Sequence, residues 1–236
     1  MSEIYMIRHG QASFGSENYD RLSSLGVVQA GILANYLVKI DQRFDAFYTG
    51  CMERQEKTAE ALVNVYGEHR LPVIDLIKAE AFNEYDSKTV FADQVRMMIE
   101  ADPSLSDDVK QVYSDERVFQ RLFQQVMTRW ASGKYDLPGS PRWKEFRDRV
   151  QQGIKDLMKR HGSRKSLAVF TSGGPISAAV QMALDLTDEK AMAVSWQIMN
   201  TSITCFKYNS KGIALTGFND ISHLKLKGNE GLLTYR

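Results

Sequence analysis

The stretch Tyr5-Met6-Ile7-Arg8-His9-Gly10-Gln11 constrains what the rest of this chain can become. Ile4 to Ile7 is a short apolar run of the kind that forms a buried strand, and it stops at an arginine, a histidine and a glycine. In open α/β sheets ligands gather in the crevice outside the carboxyl ends of the strands, so this Arg-His pair is placed to meet a bound anion. Gly10 lets the backbone turn tightly beside that ligand.

Net charge decides how such an anion is attracted. Thirty basic against twenty-nine acidic residues leave +1, which gives no general pull toward nucleic acid or an anionic membrane. Anion binding must be local. No apolar run approaches the roughly 20 residues of a membrane span, and the amino terminus lacks the basic and apolar regions of a signal peptide, so a cytoplasmic location is expected. Cys51 and Cys205 lack metal-ligand spacing and are expected to be buried small hydrophobes.

Further along the chain, strand and helix alternate. A loop rich in Ser, Gly, Asn and Asp, Ala12 to Arg21, suits the rim of a site. Ser23 then reads as an N-cap for a long amphipathic helix reaching about Lys39, with Leu25, Val28, Ile32, Leu33, Tyr36, Leu37 and Ile40 at three-to-four spacing. Asp45 to Thr49 predicts a strand, Arg54 to Tyr66 a helix, and Leu71 to Leu76 a third apolar run leading to Glu84.

The segment from about 87 to 141 lacks strand character. It is expected to be a largely helical insertion within a single domain spanning residues 1–236, part of it covering the strand-end crevice. Its strongest helix carries Val118, Phe119, Leu122, Phe123, Val126, Met127 and Trp130. Beyond it, Trp143 to Leu157 predicts a helix closing at Gly162, and Ser166 to Thr171 a central strand. Ser172-Gly173-Gly174-Pro175 then opens another helix, with Pro175 at its first position and free backbone N–H groups making a second anion-binding corner. A hairpin, Ser202–Tyr208 with Ile213–Phe218, completes the sheet.

Together these pieces resemble the histidine phosphatase superfamily, the phosphoglycerate mutase-like family. The resemblance is carried by Arg8-His9-Gly10-Gln11, by Leu22 to Ala30, by Arg54 with Thr58-Ala59, by Glu84, and by Gly173-Gly174. The fold it implies is a three-layer α/β/α sandwich on a mostly parallel sheet. It implies His9 as the nucleophile forming a phosphohistidine, its other ring nitrogen held by a backbone carbonyl, with Arg8 and Arg54 clamping the phosphate. Glu84 matches the acid that protonates the leaving group, and a raised pKa suits that role. No metal or cofactor is implied.

One position departs from the family pattern: Ser172 stands where a second histidine is usual, beside Gly173 at the phosphate corner. A hydroxyl still donates one hydrogen bond but brings no positive charge. Gln11 stands where glutamate is common, and it and Asn18 are candidate contacts at the substrate rim, as are Phe14, Tyr19, Tyr85 and Lys88. His69 and His161 are expected to be solvated, and His223 structural. The leading expectation is a phosphomonoesterase acting on a small-molecule or peptide phosphate. The alternatives are a mutase-type phosphoryl transfer and a catalytically weakened module that binds a phosphorylated ligand or partner.

Overall fold

The computed structural model describes residues 2–13, 19–72, 74–111 and 115–235. Strand β1 (Ser2–Arg8) is followed by α1 (Ser24–Lys39), β2 (Ala46–Thr49), α2 (Glu53–Glu68) and the three-residue β3 (Leu76–Lys78). Helices α3 (Ser87–Ala101), α4 (Leu105–Gln111), α5 (Glu116–Ala131) and α6 (Trp143–His161) come next. Then follow β4 (Ser166–Thr171), α7 (Gly173–Leu184), α8 (Asp188–Ser195), β5 (Ile203–Asn209), β6 (Gly212–Asp220) and the short α9 (Ser222–Lys225).

The six strands form one sheet in the order β3-β2-β4-β1-β5-β6. β1, β2, β3 and β4 pair in parallel, while β5 and β6 add an antiparallel edge. Side chains alternate across the strands, and that alternation builds two cores. Ile4, Met6, Tyr48, Leu167, Val169 and Phe206 face the layer of α6 and α7, packing with Val150, Ile154, Leu157 and Ile176. Ile7, Phe47, Ala168, Phe170 and Ile203 face the opposite way, onto Leu33 and Leu37 of α1 and Leu62 and Tyr66 of α2. The result is the expected α/β/α sandwich, with the central strands β2 and β4 buried on both faces.

Several local expectations need correction. The buried stripe of α1 runs through Gly26, Gln29, Ala30, Leu33, Ala34 and Leu37, leaving Val28 52% exposed because small residues bring the helix close to the sheet on a different face. Among the described residues of the apolar run Leu71 to Leu76, sheet pairing is found only at Leu76: Leu71 caps α2 through its N–H to the Tyr66 carbonyl, and Pro72 has no N–H to offer a ladder. α7 begins at Gly173 rather than Pro175, a first-turn position where proline removes no helical hydrogen bond. Cys51 is exposed and Cys205 half-buried. His69 is exposed as expected, but His161 is half-buried, with Nε2 2.8 Å from the Tyr48 hydroxyl. Among the described residues no helix is long and apolar enough to cross a membrane.

At the antiparallel edge, His223 is buried, with Nε2 3.0 Å from Thr201 Oγ1. The Thr201 hydroxyl donates to the Asn200 carbonyl, so the proton of the histidine contact sits on Nε2. Burial lowers the His223 pKa to about 4, with Asp220 opposing the shift. Between that value and the ordinary 6.5 the unfolded chain binds the extra proton, so this contribution is present above pH 6.5 and lost as pH falls. The expected loss is on the order of 3 kcal/mol. Denaturant unfolding at pH 7 and pH 4.5 should show His223→Gln losing less stability on acidification than the wild type; equal losses would contradict a buried neutral imidazole.

Candidate active site

The carboxyl ends of β1 and β4 lie side by side, Arg8 opposite Thr171, and the chain leaves β1 through a bond from the His9 N–H to the Thr171 carbonyl at 2.9 Å. The His9 carbonyl accepts the Thr201 N–H at 3.2 Å and Asn200 Nδ2 at 3.1 Å. Gly10 follows, its N–H bonded to Thr58 Oγ1 at 3.0 Å. A Cβ there would lie 2.4 Å from the Gly26 carbonyl oxygen, so the turn into the rim requires glycine.

Two bonds fix the His9 ring. Nδ1 lies 2.7 Å from its neighbour's carbonyl, that of Gly10, and Arg54 Nε donates to Nε2 at 3.0 Å. A carbonyl only accepts and a guanidinium only donates, so Nδ1 carries the proton and Nε2 the lone pair. An imidazolium would set two donors against each other. Burial holds the His9 pKa well below its ordinary value, and the Arg54 and Arg8 guanidiniums push it the same way.

Arg54, in the first turn of α2, is buried, and its Nη1 pairs with Asp20 at 2.5 Å. Asp20 also accepts the Glu53 N–H, joining the rim to the helix start. The Tyr19 ring lies 5.7 Å from the Arg54 guanidinium carbon. Arg8 donates through Nη1 to the Ile198 carbonyl, while its Nε is buried without a partner among the described residues. Burial lowers its pKa to about 10, which leaves it charged at neutral pH.

Glu84 reaches the site after a 3-10 turn, Glu80–Phe82. Arg149 of α6 holds that turn by donating to the carbonyls of Glu80 and Asn83. Tyr85 is gripped from the far side by Trp130 and Phe146, with ring centroids at 4.6 and 5.3 Å, so the helices after β3 anchor the segment that carries Glu84. Glu84 Oε2 accepts the Gly174 N–H at 3.0 Å. Burial raises the Glu84 pKa against the opposing Gly174 N–H, Arg54, the Tyr85 N–H and Arg8. A Cβ on Gly174 would meet Glu84 Oε1 at 2.1 Å, which explains the second glycine of the pair.

Of the expected site residues, the structure gathers His9, Arg8, Arg54, Glu84, Ser172 and Gly173 at one end of the sheet. Gly173, at the first position of α7, has no helical acceptor for its N–H. Ser172 is the N-cap residue but makes no capping bond with its side chain; its Oγ accepts from Gln55 Nε2 at 2.8 Å. Gln11 ties the rim to α1, accepting the Ser23 hydroxyl at 2.8 Å. The Tyr85 ring is core, and Lys88 is exposed in the first turn of α3. Phe14 and Asn18 lie outside the described residues. The sequence reading passed over Asp20, Gln55, Arg149 and Asn200, residues that act through contacts distant in sequence. Among the described residues no group of three His, Cys, Asp or Glu side chains could hold a metal ion.

The profile of the histidine phosphatase superfamily (branch 1) matches residues 4–103 and 85–221. This chain belongs to that superfamily. A search of curated proteins by sequence gives no significant match. Among solved structures, the chain is similar to a phosphoserine phosphatase variant from Entamoeba histolytica in complex with phosphoserine. The two share 19% identity with a TM-score of 0.65, over 95% of this chain and 100% of that one. It is also similar to a phosphoglycerate mutase from Bacillus anthracis, at 14% identity and TM-score 0.65 over 97% of both chains. A mycobacterial glucosyl-3-phosphoglycerate phosphatase with inorganic phosphate matches at 17% identity and TM-score 0.61, over 94% of this chain and 98% of that one. At these identities the likeness is one of fold.

The deduced tautomer makes a direct prediction. Nitrogen NMR of histidine-labelled protein should show His9 in the Nδ1–H form, with no titration between about pH 6 and 8. A His9 midpoint near or above its ordinary 6.5 would contradict the site as described.

Proposed function

We propose that this superfamily member is a phosphomonoesterase that transfers a phosphoryl group from a small-molecule or peptide phosphate to His9 and then to water, without a metal. The observation that carries the reading is the neutral His9 ring, its Nε2 lone pair directed at Arg54 and its charge suppressed by two guanidiniums. A surface histidine has no use for that combination.

When a phosphate monoester binds, Arg54 and Arg8 turn their N–H groups to its oxygens and Nε2 is released. Nε2 attacks phosphorus, the ester P–O bond breaks, and the protonated Glu84 carboxyl gives its proton to the departing oxygen. Water then attacks the phosphohistidine and returns a proton to the Glu84 carboxylate. The P–N bond breaks and inorganic phosphate leaves. The raised Glu84 pKa favours the acid form needed in the first step, and the lowered His9 pKa keeps the nucleophile free.

A second reading has its own support. Ser172, at the position usually held by a second histidine, brings no charge to the phosphoryl oxygens, and the loss of one such donor typically costs about a hundredfold in rate. A weakened protein that retains a phosphorylated ligand would fit that deficit. Retention of both His9 and Glu84 favours the enzyme.

Hydrolysis of an aryl phosphate in the presence of chelator distinguishes them. Turnover should vanish in His9→Ala. In the wild type, kcat/KM should fall as pH drops through the His9 pKa and again as pH rises through the Glu84 pKa. Glu84→Gln should lower kcat about a hundredfold or more toward a substrate with an alkyl leaving group and remove the alkaline limb. Phosphate binding without turnover in either wild type or His9→Ala would favour the binding module.

A further inference from the structure

The Gln55 side chain is completely buried and its amide orientation is determined by its neighbours. Nε2 faces the Phe82 carbonyl at 3.2 Å and Ser172 Oγ at 2.8 Å. Oε1 faces the Met52 N–H at 3.4 Å, and a Cβ on Gly50 would approach it to 2.0 Å. Because the Phe82 carbonyl can only accept, the amide cannot be turned round. Thr171 Oγ1 donates to the same carbonyl at 2.7 Å and leaves it no other role.

This arrangement has a consequence for Ser172. Its oxygen receives a hydrogen from Gln55, so its single hydroxyl hydrogen must point elsewhere. Among the described residues the hydroxyl donates to none, although Ser172 is only 1% exposed. The residue follows Thr171, whose carbonyl holds the His9 N–H, and precedes by two the N–H that holds Glu84. The backbone on either side of Ser172 thus holds both His9 and Glu84.

We propose that Gln55 is a positioning residue that commits the Ser172 hydroxyl to donate to the phosphoryl group beside His9. The inference rests on the phosphatase reading and deepens it. Receiving an N–H polarises the hydroxyl and strengthens it as a donor, so the pair is a neutral, non-titrating substitute for a cationic donor. The same packing makes Gln55 an obstacle to an imidazole at position 172. Both side chains are buried, and the amide fills the volume a larger residue would need.

A double-mutant cycle tests the pairing, using wild type, Ser172→Ala, Gln55→Met and the double variant. Methionine keeps the length and apolar packing of Gln55 but has no N–H. The readings are kcat/KM for an aryl phosphate and the affinity for inorganic phosphate by calorimetry. Each single change should lower kcat/KM about tenfold or more, and the double should fall no further than the worse single variant. Phosphate affinity should follow the same non-additive pattern. Losses that multiply, or a Gln55→Met variant that loses thermal stability while retaining full kcat/KM and phosphate affinity, would overturn the proposal.

A wild type that binds phosphate without turnover would remove the phosphatase reading alone, since the affinity cycle still measures the pair. Neither turnover nor phosphate affinity would overturn both. Should Gln55→Met fail to fold, the comparison passes to Ser172→His with and without Gln55→Ala. The double variant is expected to bind phosphate at least about tenfold more tightly than Ser172→His alone, and equal affinities would overturn the proposal.

Discussion

The bond from Arg54 Nε to His9 Nε2 is the interaction on which the site depends. It joins the end of the first strand to the start of the second helix, and it is chemically possible only if the imidazole is neutral. The Gly10 carbonyl satisfies the other ring nitrogen, so ring orientation and tautomer are set together. The cost is two guanidiniums and a histidine buried at one end of the sheet, offset in part by Asp20 on Arg54. Such an arrangement favours an incoming dianion, which supplies the negative charge that the cluster lacks.

The scaffold holds this cluster from both sides of the sheet. Thr171 on β4 and the Asn200-Thr201 turn before β5 bind the backbone of His9. Asn200 is itself tied to the chain's last described segment: its N–H reaches the Thr234 carbonyl, and Gln29 of α1 donates to Leu232 and Thr234 while accepting the Gln11 N–H. The carboxyl-terminal segment therefore braces the loop that carries His9. On the other side, Arg149 and the Tyr85–Trp130–Phe146 contacts hold the segment of Glu84, so packing outside the site decides where that carboxyl lies.

Local chemistry made much of this legible. Alternating apolar strands and the Ser23 cap, whose Oγ accepts the Gly26 N–H, appear where the pattern put them. Arg8 and His9 stand out by residue type at a strand end, and Arg54 and Glu84 through the family resemblance. Contacts between distant segments were not legible. Nothing near Gln55 in the sequence announces that its amide meets Ser172, and nothing near Arg149 announces the carbonyls of Glu80 and Asn83. Apolarity also misled where it was satisfied without pairing, as at Leu71 and Ile74, which pack on the core from irregular chain. Cys51 is exposed in the turn between β2 and α2, where its N–H donates to Asn83 Oδ1, a contact that hydrophobicity alone does not register.

In the proposed reaction the neutral Nε2 of His9 accepts a phosphoryl group. The most direct measurement is rapid quenching of the protein with an aryl phosphate, followed by peptide mass analysis under alkaline conditions that preserve phosphohistidine. One phosphoryl group is expected on His9, formed and lost at rates compatible with turnover, and absent from His9→Ala. Turnover without any phosphorylated His9, or with the phosphoryl group on another residue, would contradict it.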